Sequence, residues 1–104
     1  MDAFTALAEP TRRRILQRLQ RSPANVNELV QGLALSQPAV SKHLKVLREA
    51  GFVSRRGDAQ QRIYRLEAAR FRELDAWLSP YRKLWTKHLD ALERHLEHME
   101  KAKK

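Results

Sequence analysis

Gln37, Ser41 and Lys45 recur every fourth residue, and Lys42 stands beside Ser41. The set comprises one carboxamide, one hydroxyl and two ammonium groups. A carboxamide offers a donor and an acceptor side by side, which matches the edge of an adenine. A hydroxyl donates or accepts, and an ammonium reaches a guanine edge or a phosphate. No acid interrupts residues 36–48. A second set follows within eight residues: Arg55, Arg56, Gln60, Gln61 and Arg62. These groups bind by hydrogen bonding and charge, and none is a nucleophile with an adjacent base. The chain has no cysteine, which excludes disulfides, thiolate metal sites and cysteine nucleophiles. It shows no nucleophile elbow, no phosphate-binding glycine loop and no paired carboxylates suited to a pocket, so an enzyme is not expected.

The elements that must hold these groups are legible from punctuation and periodicity. Ser36 is a good N-cap and Pro38 falls in the first turn of a helix. At 100° per residue, Val40, Leu44 and Leu47 form one inward stripe. Ser41, Lys45 and Lys42 then lie mostly opposite, with Gln37 at the border. Gly51 closes this helix. The runs FVSRR and RIYRL flank Gly57-Asp58 and predict a β-hairpin with a basic, polar loop. Upstream, residues 2–8 predict a short helix with Phe4, Leu7 and Ala8 inward. Pro10 opens a second helix with Ile15, Leu16 and Leu19 inward, and Pro23 ends it. A third has Asn25 or Asn27 as cap and Val26, Leu29, Val30 and Leu33 as its stripe, with Gly32 near its end. From about Glu67 to Lys101 the pattern is helical again, with a kink or break expected at Ser79-Pro80. Beyond it, Trp85, Leu89, Leu92, Leu96 and Met99 are spaced 4, 3, 4, 3, a heptad seam that calls for a partner helix.

The 104 residues make one domain by size, and a core this small gains from a second copy. We expect residues 1–66 to form the binding core with its wing, 67–101 the pairing helices and 102–104 a basic tail. The net charge is +9, and +7 of it lies in residues 1–66. Such a patch suits phosphate. An anionic membrane is a poorer match, because the basic stretch lacks bulky apolar anchors. No run is long enough to span a membrane and the N-terminus is not a secretory signal, so a cytoplasmic protein is expected.

The fold class expected is mainly α with a small β-hairpin: a winged helix-turn-helix of about five helices and a two-stranded wing. In that arrangement the second helix of the pair enters the major groove of DNA. The DNA-contacting candidates are Gln37, Ser41, Lys42 and Lys45 on the helix, and Arg55, Arg56, Gln60, Gln61 and Arg62 in the wing. The segments ALAEPTRRRILQRL, LSQPAVSKHLKVLREAGFVSRRG and RIYRL resemble the ArsR-type family of small bacterial transcriptional repressors, over nearly the whole chain. The resemblance implies a homodimer that binds an inverted-repeat operator and lets go on receipt of a signal. It places the reading helix at residues 37–50 and the wing at 55–62. It also implies a dimer interface from the first and last helices, here Phe4 and Leu7 with Trp85, Leu89, Leu92, Leu96 and Met99.

Two departures bear on metals. Thiolate-using relatives carry cysteines in the third helix, where this chain reads VNELVQGL. Zinc-binding relatives use an Asp-x-His pair followed ten residues on by His-x-x-Glu, and this chain lacks that spacing. His88, His95 and His98 remain as metal candidates, and the expectation is no metal and no cofactor. His43 is read as a packing or phosphate-contacting residue. The alternatives are a zinc-responsive repressor using the C-terminal histidines, or a non-specific DNA-compacting protein. Compaction has no use for Gln and Ser at base-reading positions.

Overall fold

Each of the first four helices starts at a side chain that accepts an otherwise unpaired amide. The structure is a computed structural model and describes residues 1–102. Lys103 and Lys104 of the expected basic tail, and the side chain of Gln60, lie outside the described residues. In α1 (Ala3–Ala8), Asp2 accepts from the Thr5 amide at 2.7 Å. In α2 (Pro10–Arg21), Glu9 accepts from the Arg12 amide at 2.8 Å, and Pro10 fills the first position, where no N–H is needed. In α3 (Val26–Leu33), Asn25 and Glu28 form a reciprocal capping box. In α4 (Gln37–Glu49), Ser36 accepts from the Ala39 amide at 3.3 Å.

The helix ends are closed differently from one another. The last four carbonyls of a helix such as α1 have no amide partner within it. Two consecutive arginines take all four. Arg12 donates to Ala6 at 2.7 Å and Thr5 at 3.1 Å, and Arg13 donates to Leu7 and Ala8, each at 2.9 Å. The left-handed residue that ends α3 is Ala34, at φ 55°, and Gly32 lies inside the helix. That conformation costs about 1–2 kcal/mol for a residue with a Cβ. Offsetting bonds run from the Ala34 and Leu35 amides to Val30 O, and from Arg14 to Leu33 O. Gly51, at φ 87°, closes α4, and Arg70 caps the Ala50 carbonyl at 3.0 Å.

The core holds the stripes expected for α2 and α4, Ile15, Leu16 and Leu19 with Val40, Leu44 and Leu47, but of the stripe expected for α3 only Leu29 is buried, and Val26, Val30 and Leu33 are half-buried. Val53 and Tyr64 join it from the wing, Phe52 from just before the wing, and Ala24 and Ala50 are buried beside them. Phe71 tilts against Phe52 with centroids 5.0 Å apart. The inward face of α1 differs from expectation. Ala6 is fully buried, whereas Phe4 is 49% exposed and Ala8 is exposed. A helix held close enough for Arg12 to reach its carbonyls leaves room for a methyl and not for a ring.

The wing is an antiparallel pair, β1 (Val53–Arg56) and β2 (Ile63–Leu66), with Arg55 opposite Tyr64. Its loop is longer than a two-residue turn. Gly57 sits at φ 100°, and a short 3-10 turn follows over Ala59–Gln61. Tyr64 also pairs outward with Ala24, exchanging amide bonds of 2.8 and 3.1 Å. This bridge roots the wing at the entrance to α3.

The helix α5 runs unbroken over Ala68–Ala102 with Pro80 inside it, so of the kink or break expected there the break is absent. Proline removes one helical bond, but the turn around it is braced. The Trp77 and Tyr81 rings lie 4.9 Å apart, and Asp75 pairs with Arg82 at 2.9 Å. The chain forms two compact units, Met1–Phe71 and a second from Arg72 onward. Among the described residues no helix is long and apolar enough to cross a membrane.

Candidate nucleic-acid interface

The polar row of α4 and the wing face a common groove of about 700 Å³. Gln37, Ser41 and Lys45 line it from α4, Arg55 from β1, and Gln61 and Arg62 from the wing loop. Six of the nine predicted residues are thereby brought together. Lys42 and Arg56 are exposed but lie outside the lining, and the Gln60 side chain is outside the described residues. Lys42 lies about 100° round the helix from its neighbour Ser41, which turns it away.

Arg48, Asn27, Val26 and Tyr64 also line the groove and were not among the predicted residues. Arg48 had a readable signal. At 100° per residue it falls about 80° from Val40, between Gln37 and Ser41. Asn27 had none, because its place depends on how α3 lies across α4.

The lining carries four cations, Lys45, Arg48, Arg55 and Arg62, and no acid. Arg55 is oriented by its cross-strand partner, donating to the Tyr64 hydroxyl at 3.3 Å. Tyr64 is itself fixed by burial and by its bridge to Ala24. Gln37, Ser41 and Lys45 are exposed, so base or phosphate contact by them needs no desolvation of a buried group.

The N-terminal arginines behave otherwise. Arg12 is 9% exposed and Arg13 is tied to carbonyls of α1. Arg14 holds Leu33 O, and Arg18 holds Ser22 O at 3.0 Å and lies 3.8 Å from Glu28. Much of the +7 counted in residues 1–66 therefore staples helices together. His43 is half-buried, 3.9 Å from Glu9 and 3.5 Å from Arg12, which places it in packing. Glu9 is held below its ordinary 4.5 first by the Arg12 amide, with His43 adding a smaller pull.

In the second unit, Trp85, Leu89, Leu92, Leu96 and Met99 are each 45–64% exposed. Five large apolar side chains in one row exceed what a lone helix leaves in water. Among the described residues no three His, Asp or Glu side chains converge to hold a metal within the chain. His88, His95 and His98 are exposed.

Three helices around a reading helix, a tight α3–α4 turn and a rooted wing define a winged helix-turn-helix regulator. Residues 9–55 match the family described as bacterial regulatory protein, arsR family. The chain is 41% identical over 87 residues to the HTH-type transcriptional regulator Rv2034 of Mycobacterium tuberculosis, covering 84% of this chain and 78% of that one. It is 44% identical over 65 residues to the transcriptional repressor SmtB of the same organism, covering 62% of this chain and 48% of that one. The crystal structure of the ArsR family transcriptional regulator RHA00566 superposes with a TM-score of 0.69 at 36% identity, covering 80% of this chain and 86% of that one. The chain belongs to the arsR family. It is a DNA-binding transcriptional regulator of the repressor kind, not an enzyme.

Proposed function

We propose that the protein is a cytoplasmic homodimeric repressor that reads an inverted-repeat operator with α4 and grips the flanking backbone with its wing. The observation that carries this reading is the acid-free groove in which Gln37, Ser41, Lys45, Arg55 and Arg62 meet. In this reading residues 1–66 bind DNA, 67–101 pair the copies, and the two act as one domain. Gln37 and Ser41 read base edges, while Lys42, Lys45, Arg55, Arg56 and Arg62 contact phosphate, with Gln60 and Gln61 alongside the wing. The exposed row from Trp85 to Met99 supports pairing, and Phe4, 49% exposed, and the half-buried Leu7 of α1 are assigned to the same interface. A dimer presents α4 twice, about 34–36 Å apart for successive major grooves. Release on receipt of a signal belongs to the same reading.

The test begins with selection of bound DNA from random sequence. Salt titrations on the selected site and on scrambled DNA then separate reading from gripping. Gln37→Ala and Ser41→Ala should each lose roughly 1–3 kcal/mol per half-site on the selected DNA only. Arg62→Ala and Arg56→Ala should weaken both DNAs alike and flatten the salt slope by about 1. Equal loss on both DNAs for Gln37→Ala removes that residue from base reading.

A further inference from the structure

Glycine and alanine stand at exchanged places around the end of α3. Ala34 holds the left-handed conformation at φ 55°, where glycine would be free of strain. Gly32 lies inside the helix, where alanine is the better former. A Cβ added at Gly32 would meet nothing within 4 Å, so no contact among the described residues calls for the glycine. Its effect is to leave bare backbone on the surface. That backbone lines a groove of about 290 Å³ between α2 and α3. Leu33 lies beside it, and Arg14, Gln17, Arg18 and Arg21 form the opposite wall, with no acid in the lining.

The four α2 residues share a stripe about 100° wide, opposite Ile15, Leu16 and Leu19. Arg14 is held by Leu33 O at 2.9 Å and Arg18 by Ser22 O at 3.0 Å. Neutral carbonyls fix these guanidiniums and leave their charge in place. Glu28 stands 3.8 Å from Arg18, at the edge of the groove. Gln17 and Arg21 are exposed, and among the described residues their side chains make no hydrogen bond or ion pair. This groove shares no residue with the one on α4. Asn27, which lines that one, and Gly32 lie about 140° apart round α3.

We propose that the groove between α2 and α3 is a docking site for an extended acidic segment of another protein, separate from the DNA interface. Guanidinium forks take carboxylates bidentately. The rise from Arg14 to Arg18 is about 6 Å, and acids two apart in an extended segment are spaced by about 6–7 Å. Arg21 lengthens the row to about 10 Å, the span of three extended residues. Gln17 offers a donor and an acceptor, which suits a peptide unit, whereas a phosphodiester has acceptors only. Leu33 is half-buried and receives an apolar side chain between the acids. With no Cβ at position 32, the segment's backbone can lie directly on α3.

The test is selection of a random peptide library on the full-length protein, with affinities then measured by fluorescence anisotropy. The recovered peptides should carry Asp or Glu at alternate positions. Gln17→Ala with Arg21→Gln should weaken them at least tenfold. Gly32→Ala should raise the thermal unfolding midpoint and still weaken them at least fivefold, so the lost binding is not lost fold. Arg62→Ala, in the α4 groove, should leave their affinity within twofold, and scrambled duplex DNA should not displace them. Recovery of no peptide, or of peptides without acid enrichment, overturns the proposal. So do peptides released by Arg62→Ala or by duplex DNA, which sit in the α4 groove, and peptides indifferent to Gly32→Ala. A tenfold loss of scrambled-DNA affinity in Arg21→Gln would assign the groove to phosphodiester backbone instead.

Discussion

Arg12 and Arg62 are the same residue type put to opposite uses. Arg12 is buried with its planar fork spread over the Thr5 and Ala6 carbonyls. Arg62 stands in an open groove. Lysine keeps the charge of Arg12 but cannot span two carbonyls. Arg12→Lys should therefore destabilise the protein by about 2–3 kcal/mol in urea unfolding, the range for charge-assisted bonds left unmade. Arg62→Ala should stay within about 0.5 kcal/mol of the parent in the same assay, because its side chain lies in the open groove, away from the core. Acid acts on the same corner of the molecule. Asp2 and Glu9 are both held below their ordinary values, first by the capped amides of Thr5 and Arg12. A depressed carboxylate contributes stability above its unfolded value and loses it as pH falls through its folded value. The α1–α2 pair should thus be unaffected from neutrality to about pH 5 and loosen below about pH 4. The Thr5 and Arg12 amide resonances report that change. The division of labour among the arginines was hidden in the sequence. A guanidinium finds its acceptor through the fold, and those of Arg14 and Leu33 lie 19 residues apart.

At the scale of the element, local chemistry predicted more. Ser36, Asn25 and Pro10 mark helix starts because the bonds they make or dispense with lie within the first turn. The buried stripes of α2 and α4 follow from periodicity alone. Of the kink or break expected at Ser79-Pro80, the break fails, because a brace from neighbouring turns overrides a local breaker. Pro80 would end an unsupported helix, but ring stacking and an ion pair across it keep α5 running. Expectation fails again at α1, where packing admits Ala6 and leaves Phe4 half outside. The groove was legible in part. The row on α4 was visible, but the approach of Asn27 and the wing depends on tertiary geometry. Gly57 shows what the wing requires. It sits at φ 100°, and a Cβ there would lie 2.9 Å from the Gln61 carbonyl oxygen. Gly57→Ala should cost about 1–2 kcal/mol in wing stability. It should lower affinity for selected and scrambled DNA alike, while circular dichroism shows the helices intact.

For the whole molecule, the question is how two reading helices are held at a fixed spacing. The seam from Trp85 to Met99 is exposed in the single chain, and its burial would supply the driving force for pairing. Leu89→Asp with Leu92→Asp should give a monomer by sedimentation. That monomer should keep its near-parental affinity for scrambled DNA measured per chain, because the groove is built within residues 1–71. On the selected site it should fall by at least about a hundredfold, because the second half-site no longer binds at high effective concentration. Retention of full affinity on the selected site would mean that one chain suffices for recognition.

The bridge between Ala24 and Tyr64 joins positions 40 residues apart. The other contacts that shape the groove are nearer in the chain: α3 meets α4 across a short turn, and β1 zips to β2 around a six-residue loop. Closing a long loop is the slow event in assembly, because its entropy is lost before any contact repays it. Docking of the wing is thus expected late in the folding of residues 1–71. During synthesis at about 5–20 residues per second, Ala24 waits roughly 2–8 s for Tyr64 to be made. The newborn chain therefore passes through an interval in which the residues of α4 have been made while the wing that will border its groove has yet to be added.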